Sequence, residues 1–194
     1  IKEGTFKTDA DASMALFGVE PSEKKYLMLK SRVKNRLLNT LLFLDNTMSR
    51  YDQAILQCNR NLVAAKALLQ SGARKAGESM LITTLHQAEK FELNDVALSC
   101  LLSLRYSAAF SGNRTDFEHY RKRFREVEAI FHAECKAEEF YQIITLPFGK
   151  SSSNQPELAS TANAFVEEIE LERRKHTSFK LELVLFRLRV MAGQ

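Results

Sequence analysis

The chain has 194 residues, of which 45% are apolar and 27% charged, with 7 glycines, 3 prolines and a net charge of +4. This composition is ordinary for a globular protein and excludes a chain that is mainly disordered. The scarcity of glycine and proline argues against an all-β sandwich, which needs many turns, and favours long helices.

The three cysteines and the longest apolar runs bear on the cellular compartment. Cys58, Cys100 and Cys135 are odd in number, widely spaced and without a CxxC motif, so a disulfide framework is not expected. No run approaches 18 uninterrupted apolar residues, so no transmembrane helix is predicted. We therefore expect a soluble, cytoplasmic protein without a membrane partner.

The first part of the chain changes character near residue 20. Residues 1–19 show no periodicity and are predicted to form an irregular N-terminal arm. A first helix is predicted from Pro21, because apolar residues then recur every three or four positions. Asp45-Asn46-Thr47 has the turn chemistry that would end it. The stripe consists of Tyr26, Leu29, Val33, Leu37, Leu41 and Leu44.

Four further helices are predicted up to residue 146. They cover residues 49–70, residues 74–90, a segment that begins at Asn94 or Asp95 and ends before Ser111-Gly112, and a segment that begins at the Thr115–Glu118 capping box. The last of these carries a predicted interruption near residues 133–136.

Two more helices are predicted after a linker at residues 147–155, which contains Pro147-Phe148-Gly149 and a serine run. Pro156 restarts a helical pattern, and a final apolar segment covers residues 179–192. Its alternating leucines also fit a β-strand, but a lone strand has no pairing partner, which favours a helix. The predicted organisation is an arm (1–19), a helical-repeat domain (20–146), the linker and a C-terminal helix pair (156–194), with about seven helices.

A repeat is indicated by two glycines in the same setting. Gly72 and Gly112 are 40 residues apart, and each ends an apolar helix and precedes another. Helix-turn-helix units of this length are typical of α-solenoids, in which stacked neighbours bury the apolar faces that one pair leaves open.

The spacing of small and large residues around the first of these turns resembles the tetratricopeptide repeat. It departs from that motif at Arg74, where a tyrosine is usual, and lacks the terminal proline. In the second unit Leu101, Leu104 and Gly112 match, but Phe117 stands where a small residue is usual. Residues 21–41 also resemble the opening of uncharacterised bacterial proteins with such repeats, and this likeness covers about 21–145 and 176–193. The resemblance implies an all-α fold of antiparallel helix pairs stacked as a short tetratricopeptide-like α-solenoid, and implies no activity. The matching positions are Ala65, Leu68, Gly72, Gly77, Leu81, Thr84 and Ala88.

Catalytic and ligand motifs are weak. His132 and Cys135 stand three apart on a helix, but two further zinc ligands are missing nearby. The segment 72–79 has P-loop-like spacing, but Glu78 occupies the position that needs lysine. No nucleophile elbow occurs. We therefore predict no enzyme activity and no catalytic, cofactor or metal site.

Two basic clusters are candidates for a binding patch, although acidic residues flank the first of them. Aligned along one groove, they would contact phosphates and bind nucleic acid. The clusters consist of Arg121, Lys122, Arg123, Arg125, Arg173, Arg174 and Lys175.

The leading functional prediction is a non-enzymatic scaffold that binds a peptide or partner protein on the face of its stacked helices. The alternative is a nucleic-acid-associated repeat protein that uses the basic clusters. Gly193 resembles Gly72 and Gly112, which predicts that the natural chain continues. The apolar face of residues 179–192 is accordingly expected to be exposed, or covered through self-association.

Overall fold

The computed structural model describes residue 6 and residues 8–41, 49–146 and 155–193, with the backbone alone at 38, 39, 41 and 155–158. Every regular element in these residues is an α-helix, which confirms the predicted all-α class, and eight helices are present rather than about seven. They are α1 (Asp9–Phe17), α2 (Lys24–Leu41), α3 (Arg50–Gln70), α4 (Arg74–Lys90), α5 (Asn94–Phe110), α6 (Arg114–Thr145), α7 (Gln155–Lys175) and α8 (Phe179–Ala192).

The chain divides into two compact units, residues 1–48 and residues 49–194. The first predicted helix therefore groups with residues 1–48, and residues 156–194 group with the helices from 49 onward. Of the predicted linker, residues 147–154 lie outside the described part of the chain, as does the predicted turn at 45–47.

In the first unit, the prediction of an irregular arm is wrong, because α1 occupies Asp9–Phe17. The helix begins at a capping box: the Asp11 N–H donates to Thr8 Oγ1 at 3.1 Å, and the Thr8 N–H donates to Asp11 Oδ2 at 3.2 Å. Gly18, with φ of 64°, ends it. The short helix lacks an apolar stripe, so periodicity missed it.

The predicted apolar stripe of α2 is only partly buried. Tyr26 is buried, and its hydroxyl donates to Asp9 Oδ1 at 3.0 Å, but Val33 and Leu37 are exposed. The helix also begins at Lys24 rather than at Pro21. The apolar periodicity therefore predicted the helix correctly, but it predicted more burial of the apolar stripe than the structure shows.

In the second unit, α3, α4, α5 and α6 pack consecutively, and α3 also contacts α5. Their core is a cluster that includes Leu81, Leu101 and Leu104. Gly77 lies where α4 crosses α3, and an added Cβ would stand 2.9 Å from Leu69 and 3.1 Å from the Ala65 carbonyl oxygen. A side chain at residue 77 would therefore displace the Leu69 side chain and press against the Ala65 carbonyl oxygen.

Three turns with the same hydrogen bonds connect these helices at intervals of 20 residues. In each, one N–H donates to a carbonyl five residues back: Ala73 to Leu68, Leu93 to Ala88, and Asn113 to Ala108. This is the Schellman arrangement, and its left-handed residue is Gly72, Glu92 or Gly112. The predicted turn glycines at 72, 112 and 193 all have positive φ. The break between residues 90 and 94 was predicted, but its left-handed residue was not, since glutamate occupies the glycine position.

Glu92 carries both a strained backbone and a hydrogen bond. Its φ is 52°, which costs a residue with a Cβ about 1–2 kcal/mol, and its Oε2 accepts the Phe179 N–H at the start of α8 at 2.7 Å. Glu92→Ala should lose the bond and keep the strain, whereas Glu92→Gly loses both. We therefore expect Glu92→Gly to be more stable than Glu92→Ala by about 1 kcal/mol in urea unfolding. Equal urea midpoints for these two variants would contradict the backbone strain at residue 92.

The long helix α6 runs without a break through residues 133–136, so the predicted interruption is wrong. Its cap is Asn113, whose Oδ1 accepts the Asp116 N–H at 3.1 Å, and not the predicted Thr115. Its second half packs against α7 and α8 around a second core cluster that includes Ile144, Ile169 and Leu188. The helix α6 thus contributes to both cores of this unit.

Candidate functional site

A groove of about 580 Å³ lies along α3 and α5; we call it the α3/α5 groove. Two aromatic side chains one helical turn apart dominate it: Tyr106 is 61% exposed, Phe110 is 72% exposed, and their ring centroids are 5.7 Å apart. Such exposed aromatic surface favours contact with another molecule. The groove is lined by Lys66, Leu69, Gln70, Arg74, Leu102, Ser103, Tyr106, Ser107 and Phe110.

The charge of the α3/α5 groove is positive. Lys66 and Arg74 line it, and neither forms an ion pair with another described residue. Among the described residues no carboxylate lines the groove; Glu78 lies beside it, and its Oε1 accepts the hydroxyl of the lining residue Ser107 at 2.5 Å. The groove therefore combines an aromatic surface with two cations that can meet an acidic group.

A second groove, of about 820 Å³, lies between α6 and α8; we call it the α6/α8 groove. Its α6 wall is acidic and its α8 wall is basic. It is lined by Tyr51, Phe131, Glu134, Cys135, Glu138, Glu139, Gln142, Phe179, Lys180, Leu183, Val184 and Arg187.

A polar network lies beneath the α6/α8 groove. Glu134 is 5% exposed, and its Oε1 accepts Asn94 Nδ2 at 2.8 Å and the Ser178 hydroxyl at 2.5 Å. Asn94, expected as a possible helix cap, thus serves as a donor between α5 and α6. Glu134 Oε2 accepts no hydrogen bond from a described residue, and the Lys180 ammonium is 3.8 Å from it. The network joins α5, α6 and the start of α8.

Four of the seven cations in the predicted basic patch pair with carboxylates of the described residues. Arg121 pairs with Glu118 at 3.0 Å, and Arg123 contacts Glu89 at 2.5 Å. In the second cluster, Arg173 and Lys175 also form ion pairs. Lys122, Arg125 and Arg174 form none with described residues. Paired cations offer less charge to phosphate, and nucleic-acid binding stays a prediction.

The exposed face of α8 agrees with the expected apolar surface at residues 179–192. Large apolar side chains are exposed at intervals of four, three and four residues, on the side opposite the buried Leu181, Leu185 and Leu188. Self-association through this face stays a prediction. The exposed residues are Phe179, Leu183, Phe186 and Val190.

The described residues contain no group of three side chains that could hold a metal ion. His132 and Cys135 are both exposed. None of the described helices combines the length and the apolar character of a membrane span.

The cysteines differ sharply in their surroundings. Burial raises the pKa of the Cys58 thiol, and burial together with the neighbouring Cys58 raises the pKa of Cys100 to about 12. Cys135 is exposed in the α6/α8 groove. Because the thiolate is the reactive form, we expect Ellman's reagent at pH 8 to titrate one thiol in the folded chain and three in denaturant. Cys135→Ser should remove the fast thiol, and two fast thiols would contradict this assignment.

The sequence did not single out Tyr106 and Phe110, and it did not bring the α6 and α8 residues of the second groove together. Tyr106 and Phe110 are aromatic, lie one turn apart and fall outside the leucine positions of α5. Their place off the leucine face was the feature of the sequence that could have indicated an exposed aromatic surface.

Comparison of the chain with protein-family models, curated proteins and solved structures yields no match.

Proposed function

We propose that the chain is a non-enzymatic scaffold whose helix pairs stack as a tetratricopeptide-like α-solenoid and bind a peptide segment of a partner protein. The observation that carries the proposal is the α3/α5 groove, with Tyr106 and Phe110 exposed on its surface. Large exposed aromatic side chains contribute much binding energy at low entropic cost, because they have few rotatable bonds.

The chemistry of the groove specifies the kind of peptide. Lys66 and Arg74 favour an acidic side chain, and the rings of Tyr106 and Phe110 favour an apolar one. Helices joined by identical three-residue turns hold these side chains on a rigid surface. A preformed surface of this kind spends little free energy on ordering itself when it binds.

A peptide array tests the proposal. The wild-type chain should bind a subset of peptides enriched in acidic and apolar residues, and Tyr106→Ser combined with Phe110→Ser should lose that subset. Phe186→Ser, which removes an equally exposed ring from α8, is the control and should keep it. Failure of the wild type to select peptides, or an unchanged selection by the double variant, would refute the proposal.

A further inference from the structure

The α6/α8 groove has walls of opposite charge on either side of apolar side chains. We propose that it binds an amphipathic α-helix of a partner protein, whose apolar stripe has basic residues along one flank and acidic residues along the other. This binding surface is separate from the α3/α5 groove and does not depend on its function.

The apolar part of the groove has the form that receives a helix. Phe179 and Leu183 stand one turn apart on α8 and are 69% and 36% exposed, and Phe131 faces the same groove from α6. From Phe179 to Arg187 the α8 wall extends about 12 Å, or just over two helical turns. A docked helix can place side chains at matching intervals along that length.

The charges of the groove specify the flanks of the partner. On the α6 wall, Glu138 and Glu139 form no ion pair with described residues. On the α8 wall, Lys180 stands 3.8 Å from Glu134, and the Arg187 guanidinium lies 5.2 Å from the centre of the Tyr141 ring. A helix with one sign of charge on both flanks would meet like charge on one wall, whereas mixed flanks complement both.

The carboxylate of Glu134, at the base of the acidic wall, is buried and engaged within the chain. Two donors occupy Glu134 Oε1, and Oε2 has no hydrogen-bond donor among the described residues. Lys180 forms an ion pair with Oε2, although its ammonium, 3.8 Å away, is too distant to donate a hydrogen bond. Because Glu134 is buried and Lys180 stands beside it, the charge that a basic flank of the partner would meet is that of the exposed Glu138 and Glu139.

Synthetic helical peptides of about 15 residues provide the probe. They share a leucine stripe and differ only in their flanks: lysine and glutamate on opposite sides, lysine on both, or glutamate on both. Affinity is measured by fluorescence anisotropy, and occupancy by protection of Cys135 from alkylation, since Cys135 lines the groove. The mixed peptide should bind at least about tenfold more tightly than either of the others and should protect Cys135.

A charge exchange supplies the second arm. Glu138→Lys with Glu139→Lys makes both walls basic, so the peptide with glutamate on both flanks should become the tightest ligand. The control, Glu128→Lys with Glu167→Lys, makes the same change of charge at exposed positions outside the groove and should keep the wild-type order. Circular dichroism verifies that each variant is folded.

Three outcomes would overturn the proposal. They are equal affinity or no affinity for the three peptides, an unchanged order of affinities in the Glu138→Lys, Glu139→Lys variant, and protection of Cys135 by increasing chain concentration alone. The last result would assign the groove to a second copy of the chain.

Discussion

Glu134→Ala is expected to lower the free energy of unfolding by about 3 kcal/mol, because two buried donors lose their acceptor. Asn94 and Ser178 are 9% and 3% exposed, and both donate to Glu134 Oε1. An unmet buried donor costs about 1–3 kcal/mol. Urea unfolding followed by circular dichroism measures the loss.

Two further variants separate the network from the loss of a side chain. Glu134→Gln keeps an acceptor oxygen and should lose less than half as much stability as the alanine variant. Glu139→Ala, on the exposed surface of the same helix, should change stability by no more than about 0.5 kcal/mol. Similar losses of stability in Glu134→Gln and Glu134→Ala would show that the hydrogen bonds of Asn94 and Ser178 to the side-chain oxygen of residue 134 do not stabilise the fold.

Leu101→Ala should remove about 3–5 kcal/mol of stability, because the cavity would open in a close-packed core. Leu101 is 0% exposed and belongs to the cluster shared by α3, α4, α5 and α6. Thermal or urea unfolding gives the value, and the transition should move to lower denaturant with an unchanged slope.

The adjacent residue provides the control for this prediction. Leu102 has the same side chain and helix propensity but is 42% exposed, so Leu102→Ala should cost about 1 kcal/mol or less. Comparable losses at residues 101 and 102 would mean that α5 does not present the buried face assigned to it.

The sequence was sufficient to predict the helices of the second unit, because their apolar residues repeat with the helical period and glycines mark two of the turns. It was insufficient where a helix has no apolar stripe, or where a residue other than glycine holds a left-handed turn position. The helix α1 is short and has no apolar stripe, and Glu92 holds a left-handed turn position that glycine fills at residues 72 and 112. In each case hydrogen bonds to the backbone fix a conformation that residue type alone does not predict.

The grooves were beyond sequence reasoning for a different reason. Asn94 and Ser178 are 40 and 44 residues from Glu134, so their contact depends on how α5, α6 and α8 pack. The exposure of Tyr106 and Phe110 also depends on packing, since a helical pattern shows which residues share a face but not which face stays open. The basic clusters were visible in the sequence, but their ion pairs with Glu89 and Glu182 were not.

The central claim, that the α3/α5 groove is the peptide-binding face, is tested most directly by a titration. A peptide selected on the array is labelled and titrated with the wild type and with the Tyr106→Ser, Phe110→Ser variant, and fluorescence anisotropy gives each Kd. We predict that the double substitution raises Kd by at least about 30-fold, which corresponds to a loss of about 2 kcal/mol for two aromatic side chains that a bound peptide would bury. Values of Kd within threefold of each other, in two folded proteins, would contradict the claim.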